Sequence, residues 1–325
     1  MAFRVPEPMV EPLAAGLVGL ADVDGGPTGE QLAVLDALTA HLLGRPDLTG
    51  AGRPAGVGPA ELAGALGDGT AGQVVRRRFH ELAVAVEVCR HPQTPAQVER
   101  AEEYADALGV DGPDRAIFRD LVHEGVDRAA EDFRRFLDAN LADRSEPSLP
   151  GPAPEDRSEP ELVARLEAFA GMADGSLGRA YLRFYERSGL ALPGREAAGV
   201  NHFYVSHDMT HVIAGIATTG PGEVALSAFQ MAMDDNPVNT SALLASLVVH
   251  ESGFERSPTV AAEAGILSRP GAAELLGREM ARGAACTADF SLTDHFELAP
   301  LPLAEVRGRF GVRPPDDPDD GHHIW

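Results

Sequence analysis

The chain has 325 residues, of which 44% are hydrophobic, and a formal net charge of -23, with arginine as its only strongly basic residue type. This length favours two domains, and the lack of an apolar run of roughly 20 residues argues against a membrane-spanning helix. A surface this acidic repels phosphate backbones, which argues against nucleic-acid binding. The first residues match neither a secretory signal nor an arginine-rich presequence, so we expect a cytoplasmic protein, bacterial by its composition.

The N-terminal part, residues 1–142, places apolar residues at helical spacing, with helix starts at Thr94-Pro95 and Gly112-Pro113. We therefore expect a helical domain here. The segment HELAVAVEVCRHPQTPAQVERAEEYADALGVD loosely resembles the TerB-like (tellurite resistance) helical domain, and a generic helical bundle is the alternative. Cys89 and Cys286 lie far apart without a CxxC motif, so both are predicted to be core thiols.

Proline density predicts the boundary between two domains. Segment 143–160, DRSEPSLPGPAPEDRSEP, holds five prolines and repeats the pentapeptide DRSEP, which predicts an extended linker. A second helical domain is expected over 161–315, because period-two strand patterns are scarce. Residues 316–325 carry dense charge without an apolar period and are predicted to be a disordered tail. The predicted fold class is all-α throughout.

A candidate metal site lies in the segment NHFYVSHDMTHVIAGIATTGPGEVALSAF, which begins at Asn201. His207 and His211 are four residues apart, so on a helix both imidazoles lie on one face. Asp208 lies about 100° around that helix from His207, and it is predicted either to bind the ion or to orient an imidazole. Imidazoles combined with carboxylates suit Zn²⁺, with Fe²⁺ or Mn²⁺ as alternatives.

Glu223 can join this site only if the first helix ends early. Gly220-Pro221-Gly222 is suited to start a second helix, and Gly215 is a suitable left-handed cap for the first. With that cap, residues 216–221 run back along the first helix and bring Glu223 to the imidazoles. A helix that continued to Thr219 would instead carry the turn about 10 Å away. The ordinary alternative is an amphipathic surface helix that binds no metal.

Four segments of the second half of the chain follow one another as in a known family. They are ADGSLGRAYLRFYERSGLALPGR, the H-D-x-x-H motif with its eleven-residue spacer to Glu223, GEVALSAFQMAMDDNP and LAEVRGRFGV. In these segments and their order, from about Leu162 to Val312, the chain resembles the coenzyme Q protein four family of ubiquinone biosynthesis. The chain departs from the family at Thr210, where many members carry a bulky aromatic residue, and in its N-terminal domain, which the usual family chain lacks. These departures suggest a different substrate or pathway.

The resemblance implies an all-helical fold in which one divalent metal, zinc first, binds to His207, Asp208, His211 and Glu223. It further implies a metal-dependent, optionally oxidative, decarboxylase that acts at C1 of a hydroxylated aromatic or prenylated quinone precursor. The alternative is a non-catalytic scaffold that binds a lipid-like quinone intermediate and organises other biosynthetic enzymes around a structural metal. A metallohydrolase ranks third, because Asp208 replaces the general-base glutamate of H-E-x-x-H. We also expect a homodimer or a biosynthetic complex, and a lipid-like ligand is compatible with peripheral membrane contact.

Five further residues are weaker candidates. Arg179, Tyr181 and Tyr185 lie in the family-like segment and are predicted to bind substrate. Arg179 would pair with a substrate carboxylate, with a surface ion pair as its alternative role. His202 is expected to pack beside the site rather than to bind the ion. His250 is expected to cap a helix, with a role at the site as the alternative.

Overall fold

The structure, a computed structural model, describes residues 2–141, 146–149, 158–198, 200–253 and 263–325. Within these ranges the regular structure is helical and β-pairing is limited to isolated bridges, so the predicted all-α fold class is confirmed. None of the helices in this described part is both long and apolar enough to cross a bilayer. The α-helices are α1 (Glu7–Ala21), α2 (Gly29–Ala37), α3 (Pro59–Leu66), α4 (Thr70–Val88), α5 (Pro95–Leu108), α6 (Pro113–His123), α7 (Val126–Leu141), α8 (Pro160–Glu167), α9 (Leu177–Ser188), α10 (Phe203–Ala214), α11 (Gly220–Met233), α12 (Pro237–His250), α13 (Ala272–Ala284), α14 (His295–Leu298) and α15 (Leu303–Phe310).

Local sequence signals set the starts of several N-terminal helices. Thr28 and Gln31 form a reciprocal capping box at the start of α2, which satisfies two backbone N–H groups. At the start of α5 the Thr94 hydroxyl accepts the backbone N–H of Gln97 at 3.2 Å. The start of α5, like that of α6 at Pro113, lies where the sequence predicts it.

Two buried hydrophobic clusters hold the helices together, and α11 lies between them. The first cluster extends from Phe3 to Phe133 and also includes residues of α11, α12 and α13. The second extends from Leu162 to Val312. A helix that is apolar on more than one side needs partners on each of those sides. Accordingly, α11 gives Val224, Ala228, Met231 and Ala232 to the first cluster, and Leu226, Phe229 and Met233 to the second.

The packing does not follow the predicted division into domains over 1–142 and 161–315. Helix α13 approaches α2 so closely that a Cβ added at Gly277 would lie 2.5 Å from the carbonyl oxygen of Ala37. Helix α12 contacts both α4 and α7. The physical reason is that α11 and α12 are apolar on several faces, and the N-terminal helices complete their burial. Helix α13 is amphipathic and buries its one apolar face, with Leu276 and Met280, in the first cluster.

The predicted linker, 143–160, falls only partly within the described residues, and its described parts are docked. Glu146, the glutamate of the first DRSEP repeat, is fully buried. Its carboxylate accepts the backbone N–H of His295 at 2.9 Å and pairs with Nδ1 of the His295 ring. Glu159, at the same position in the second repeat, accepts the backbone N–H of His202 at 2.8 Å and pairs with its Nδ1 at 2.5 Å. The repeat therefore contributes the same glutamate–histidine contact twice. Residues 142–145 and 150–157 lie outside the described residues.

The predicted disordered tail, 316–325, is folded onto α10 and α13 in the structure. The backbone N–H of Ile324 donates to the carbonyl oxygen of Gly215 at 2.8 Å, and the backbone N–H of Ala217 donates to the carbonyl oxygen of His322 at 2.8 Å. The indole ring of Trp325 stacks on Arg307, with the guanidinium carbon 3.6 Å from the ring centroid. The tail is held because the turn after α10 exposes backbone groups that the tail backbone satisfies.

We expect the docking of this tail to weaken as pH rises. Burial opposes protonation of His323, but Glu279 at 3.1 Å and Asp320 at 2.9 Å outweigh it and raise the His323 pKa above its ordinary value of 6.5. Glu279 also pairs with Arg282. The docked tail thus binds the His323 proton more tightly than the free tail. The contribution of His323 to the stability of the docked tail is therefore complete below pH 6.5 and is lost as pH rises through the raised pKa.

Trp325 is the only tryptophan of the chain, so its fluorescence reports this docking directly. The expected result is a red shift of its emission as pH rises through that window. The variant His323→Gln should remove the pH dependence of the shift. An emission maximum in the wild type that does not move across the window would contradict the prediction.

Candidate metal centre

Helix α10 places His207, Asp208 and His211 as the sequence predicts. It ends at Ala214, and Gly215 follows in the left-handed conformation, with φ 73° and ψ 33°. Glycine tolerates this conformation because it has no Cβ. The early helix end on which Glu223 depends is therefore confirmed.

The chain doubles back after Gly215 and starts α11 at Gly220. The hydroxyl of Thr219 caps α11 by accepting the backbone N–H of Gly222 at 3.1 Å. A side chain at Gly222 would lie 2.2 Å from the carbonyl oxygen of Ala217, so the turn requires a glycine here. Glu223 then lies in the first turn of α11, where the helix dipole favours a carboxylate.

Ligand atoms of His207, His211 and Glu223 form a nearly equilateral triangle, called here the ligand triangle. The Nε2 atoms of His207 and His211 are 3.3 Å apart. The Oε2 atom of Glu223 lies 3.2 Å from Nε2 of His207 and 3.3 Å from Nε2 of His211. A tetrahedral ion with bonds of about 2.0–2.1 Å separates its ligand atoms by about 3.3 Å. The observed triangle therefore matches one face of such a tetrahedron.

The ring of His211 is fixed with Nε2 toward the ligand triangle. Its Nδ1 lies 3.0 Å from the carbonyl oxygen of Ile216, which can only accept a hydrogen bond, so Nδ1 carries the proton. In the neutral ring Nε2 then has a free lone pair, as a metal ligand requires. Phe184 stacks on the same ring, with centroids 5.5 Å apart and an interplanar angle of 26°.

Asp208 lies beside the ligand triangle and not in it. Among the described residues, the group whose ligand atoms all lie within 4.8 Å at this site contains His207, His211 and Glu223. The Asp208 carboxylate instead accepts the hydroxyl of Tyr185, which also lies 3.5 Å from the hydroxyl of Tyr181. The contact that the structure gives Asp208 is with Tyr185, so direct coordination and orientation of an imidazole both remain predictions.

The electrostatics of the site favour an ionised Glu223. Burial opposes its ionisation, but His211 and His207 hold its pKa well below the ordinary value. Burial also opposes protonation of His211, and Glu223 more than offsets this and raises the His211 pKa. Burial raises the pKa of Asp208 to about 7, although the hydrogen bond from Tyr185 acts in the opposite direction. The ligand triangle thus supplies one anionic carboxylate and two imidazoles, a donor set that fits a divalent ion of the zinc type.

The weaker candidates separate into two groups. Tyr181 and Tyr185 reach the site through Asp208, as described above. Arg179 does not: it donates to the carbonyl oxygen of Ala170 at 3.1 Å and lies 3.6 Å from Asp174, so its alternative role, a surface ion pair, is the one observed. The reason is its position on α9, roughly 200° around the helix from Tyr181.

Two further features complete the surroundings of the ligand triangle. His250, for which the sequence favours helix capping over a role at the site, is buried close to the site; burial lowers its pKa, and the charge of Glu223 partly offsets that effect. The C-terminal tail contacts Gly215 and Thr219, whose side chain lies 2.8 Å from Nδ1 of His322. These contacts place the tail against the turn that delivers Glu223.

No protein-family model matches the chain, and no curated protein matches it. Among solved structures, it is similar to the crystal structure of a protein from Nostoc punctiforme that is provisionally named a ubiquinone biosynthesis protein. That similarity covers 74% of this chain and 97% of the other, with 18% sequence identity and a TM-score of 0.33. A likeness this weak carries no argument about function. The chemistry of the site must therefore support any functional assignment.

Proposed function

We propose that this protein is a metal-dependent enzyme of the ubiquinone-biosynthesis type. In this proposal one divalent ion, zinc first, binds to His207, His211 and Glu223. The substrate is a hydroxylated aromatic acid or a prenylated quinone precursor, and the reaction removes its carboxylate at C1. The substrate class comes from the resemblance of the sequence between about Leu162 and Val312 to the coenzyme Q protein four family. Metal binding is inferred from the geometry of the ligand triangle.

The observation that carries the proposal is the number of protein ligands. Structural zinc sites are closed by four protein ligands, whereas catalytic sites have three and leave a position for water or substrate. The ligand triangle offers three, and the carboxylate of Asp208 is engaged by Tyr185. The side chains of His207 and Glu223 are each 20% exposed while that of His211 is fully buried, so solvent reaches the ligand triangle at His207 and Glu223.

The residues of the chain have separable roles in such a reaction. A bound divalent ion would supply a Lewis acid that holds a carboxylate and an adjacent hydroxyl of the substrate. Ile216 fixes the orientation of His211, and Tyr185 fixes that of Asp208. In the decarboxylation the bond between the ring and the carboxylate breaks, CO₂ leaves, the ring carbon keeps the electron pair, and a proton replaces the carboxylate there. Introduction of a hydroxyl at the same carbon would in addition require a redox-active ion such as iron in place of zinc, dioxygen as the oxidant, and a two-electron donor that reduces the second oxygen atom to water.

The test uses the full chain without a histidine tag, reconstituted with zinc or with ferrous iron. A prenylated hydroxybenzoate labelled at the carboxylate carbon is supplied, and labelled CO₂ is measured by mass spectrometry. We expect CO₂ release by the wild type and by the surface variant Arg183→Ala, and a loss of at least about 100-fold in His211→Ala. Substrate binding without CO₂ release would favour the non-catalytic scaffold. Release that is equal in wild type and His211→Ala would contradict the metal-dependent reaction.

A further inference from the structure

A second group of ligand atoms lies outside the ligand triangle, and its members are far apart in the sequence. Glu30 lies in the first turn of α2, Cys89 directly follows α4, and Glu251 directly follows α12. One ligand atom from each of these residues lies within 4.8 Å of the others. The group is thus assembled only when α12 packs against the N-terminal helices, which is the packing that joins the two halves of the chain.

The group is buried and its carboxylates are held in place. Cys89 and Glu251 are fully buried, and the side chain of Glu30 is 12% exposed. One oxygen of Glu251 accepts the backbone N–H of Leu267 at 2.8 Å, and the other lies 2.5 Å from Nε2 of His91. That His91 nitrogen is also 3.9 Å from Oε2 of Glu30. The thiol of Cys89 donates to the carbonyl oxygen of Ala85 at 3.0 Å, so binding of an ion would release this thiol proton.

The two carboxylates of this group share one buried space, and among the described residues their ion pairs are with one cation, His91. Burial and the neighbouring Glu251 raise the pKa of Glu30 to about 7. The Oε1 atom of Glu30 is shielded from solvent and has no hydrogen-bond partner in the described part of the chain. A buried acceptor atom without a hydrogen bond is destabilising, and a second anion in the same buried space adds repulsion. A divalent cation between these atoms would supply the missing partner and balance both charges.

We propose that Glu30, Cys89 and Glu251 form a second divalent metal site, distinct from the ligand triangle. A thiolate with two carboxylates selects an ion of zinc type over Mg²⁺ or Ca²⁺, which prefer oxygen ligands alone. His91 is a positioning residue in this proposal, because it donates to the Glu251 oxygen and orients that carboxylate. The ion would connect α2, α4 and α12, so its role is to fasten the N-terminal helices to the second half of the chain.

The thiolate makes this site spectroscopically distinct from the ligand triangle, which contains no sulfur ligand. The test titrates Co²⁺ into the reduced, metal-stripped full chain and records the near-ultraviolet absorption that a cobalt–thiolate bond produces. We expect a saturable band with about one equivalent of sulfur-bound Co²⁺. The band should vanish in Cys89→Ser and persist in Cys286→Ser, the matched variant of the other buried cysteine. It should also persist in Glu223→Gln, because that change affects only the ligand triangle.

Two further measurements keep the proposal testable if Cys89→Ser folds poorly. Glu30→Gln changes the most exposed ligand without a change of size, and the apparent Co²⁺ dissociation constant from the same band should rise by at least about 10-fold. Circular dichroism on each variant confirms that the helices are retained. The proposal would be overturned by a wild type without a thiolate band, by a band that survives Cys89→Ser, or by an unchanged dissociation constant in Glu30→Gln.

Discussion

Replacing Glu223 with glutamine should remove about one metal ion per chain from the protein, with an affinity loss at the ligand triangle of at least about 100-fold. The amide is nearly the same size as the carboxylate, but it lacks the negative charge that balances a divalent ion between two imidazoles. His211→Ala should give the same loss, because it removes a fully buried ligand. Elemental mass spectrometry on protein purified without a histidine tag measures the metal content.

The matched control is Glu186→Gln, which makes the same chemical change at an exposed position of α9. It should leave the metal content unchanged. The metal also stabilises the folded state, because an ion at about 1,000 times its dissociation constant contributes about 4 kcal/mol. A chelator should therefore lower the Tm of the wild type. In Glu223→Gln it should lower the Tm only by the contribution of the proposed second metal site at Glu30, Cys89 and Glu251. Equal metal content in wild type and both site variants would contradict the ligand triangle.

A large loss of folding stability is expected when the close contact between α11 and α13 is disturbed. Gly283 of α13 lies so close to α11 that an added Cβ would be 2.1 Å from the carbonyl oxygen of Phe229 and 2.8 Å from its carbonyl carbon. These are backbone atoms of a helix buried on both sides, so they cannot move aside without moving the helix. Gly283→Ala should therefore lower the free energy of unfolding by about 3 kcal/mol, as overpacking in a rigid core does.

The control is Gly308→Ala in α15, where an added Cβ meets no atom within 4 Å. Alanine favours the helix there, so this variant should unfold within about 1 kcal/mol of the wild type or be slightly more stable. Chemical denaturation of both variants measures the difference. Because α11 also carries Glu223, Gly283→Ala is expected to weaken metal binding too. A Gly283→Ala variant as stable as the wild type would show that α11 and α13 do not pack this closely.

Local features of the site could be predicted from the sequence. The spacing of His207 and His211 fixes one helix face, and the glycine at position 215 predicts where that helix ends. Gly220-Pro221-Gly222 predicts the next helix start, which in turn places Glu223 in a first turn. Each of these features depends on a few adjacent residues, so a single sequence contains the necessary information.

Features that depend on distant residues could not be predicted in this way. The hydrogen bond from Tyr185 to Asp208 joins two helices, and no pattern within either helix indicates it. The same holds for the tail, whose charged composition suggested disorder but whose backbone pairs with the turn after α10. Packing crosses the predicted domain boundary for a related reason. Proline density marks a break in helical structure, whereas the burial of α11 on two sides decides which helices share a core.

Anomalous diffraction at the zinc absorption edge, from crystals of the zinc-loaded protein, shows whether a metal ion binds to His207, His211 and Glu223. We expect a peak about 2.0–2.1 Å from Nε2 of His207, from Nε2 of His211 and from Oε2 of Glu223, with a non-protein ligand in the remaining position. The absence of a peak among these three atoms, in crystals that contain zinc, would contradict this metal site.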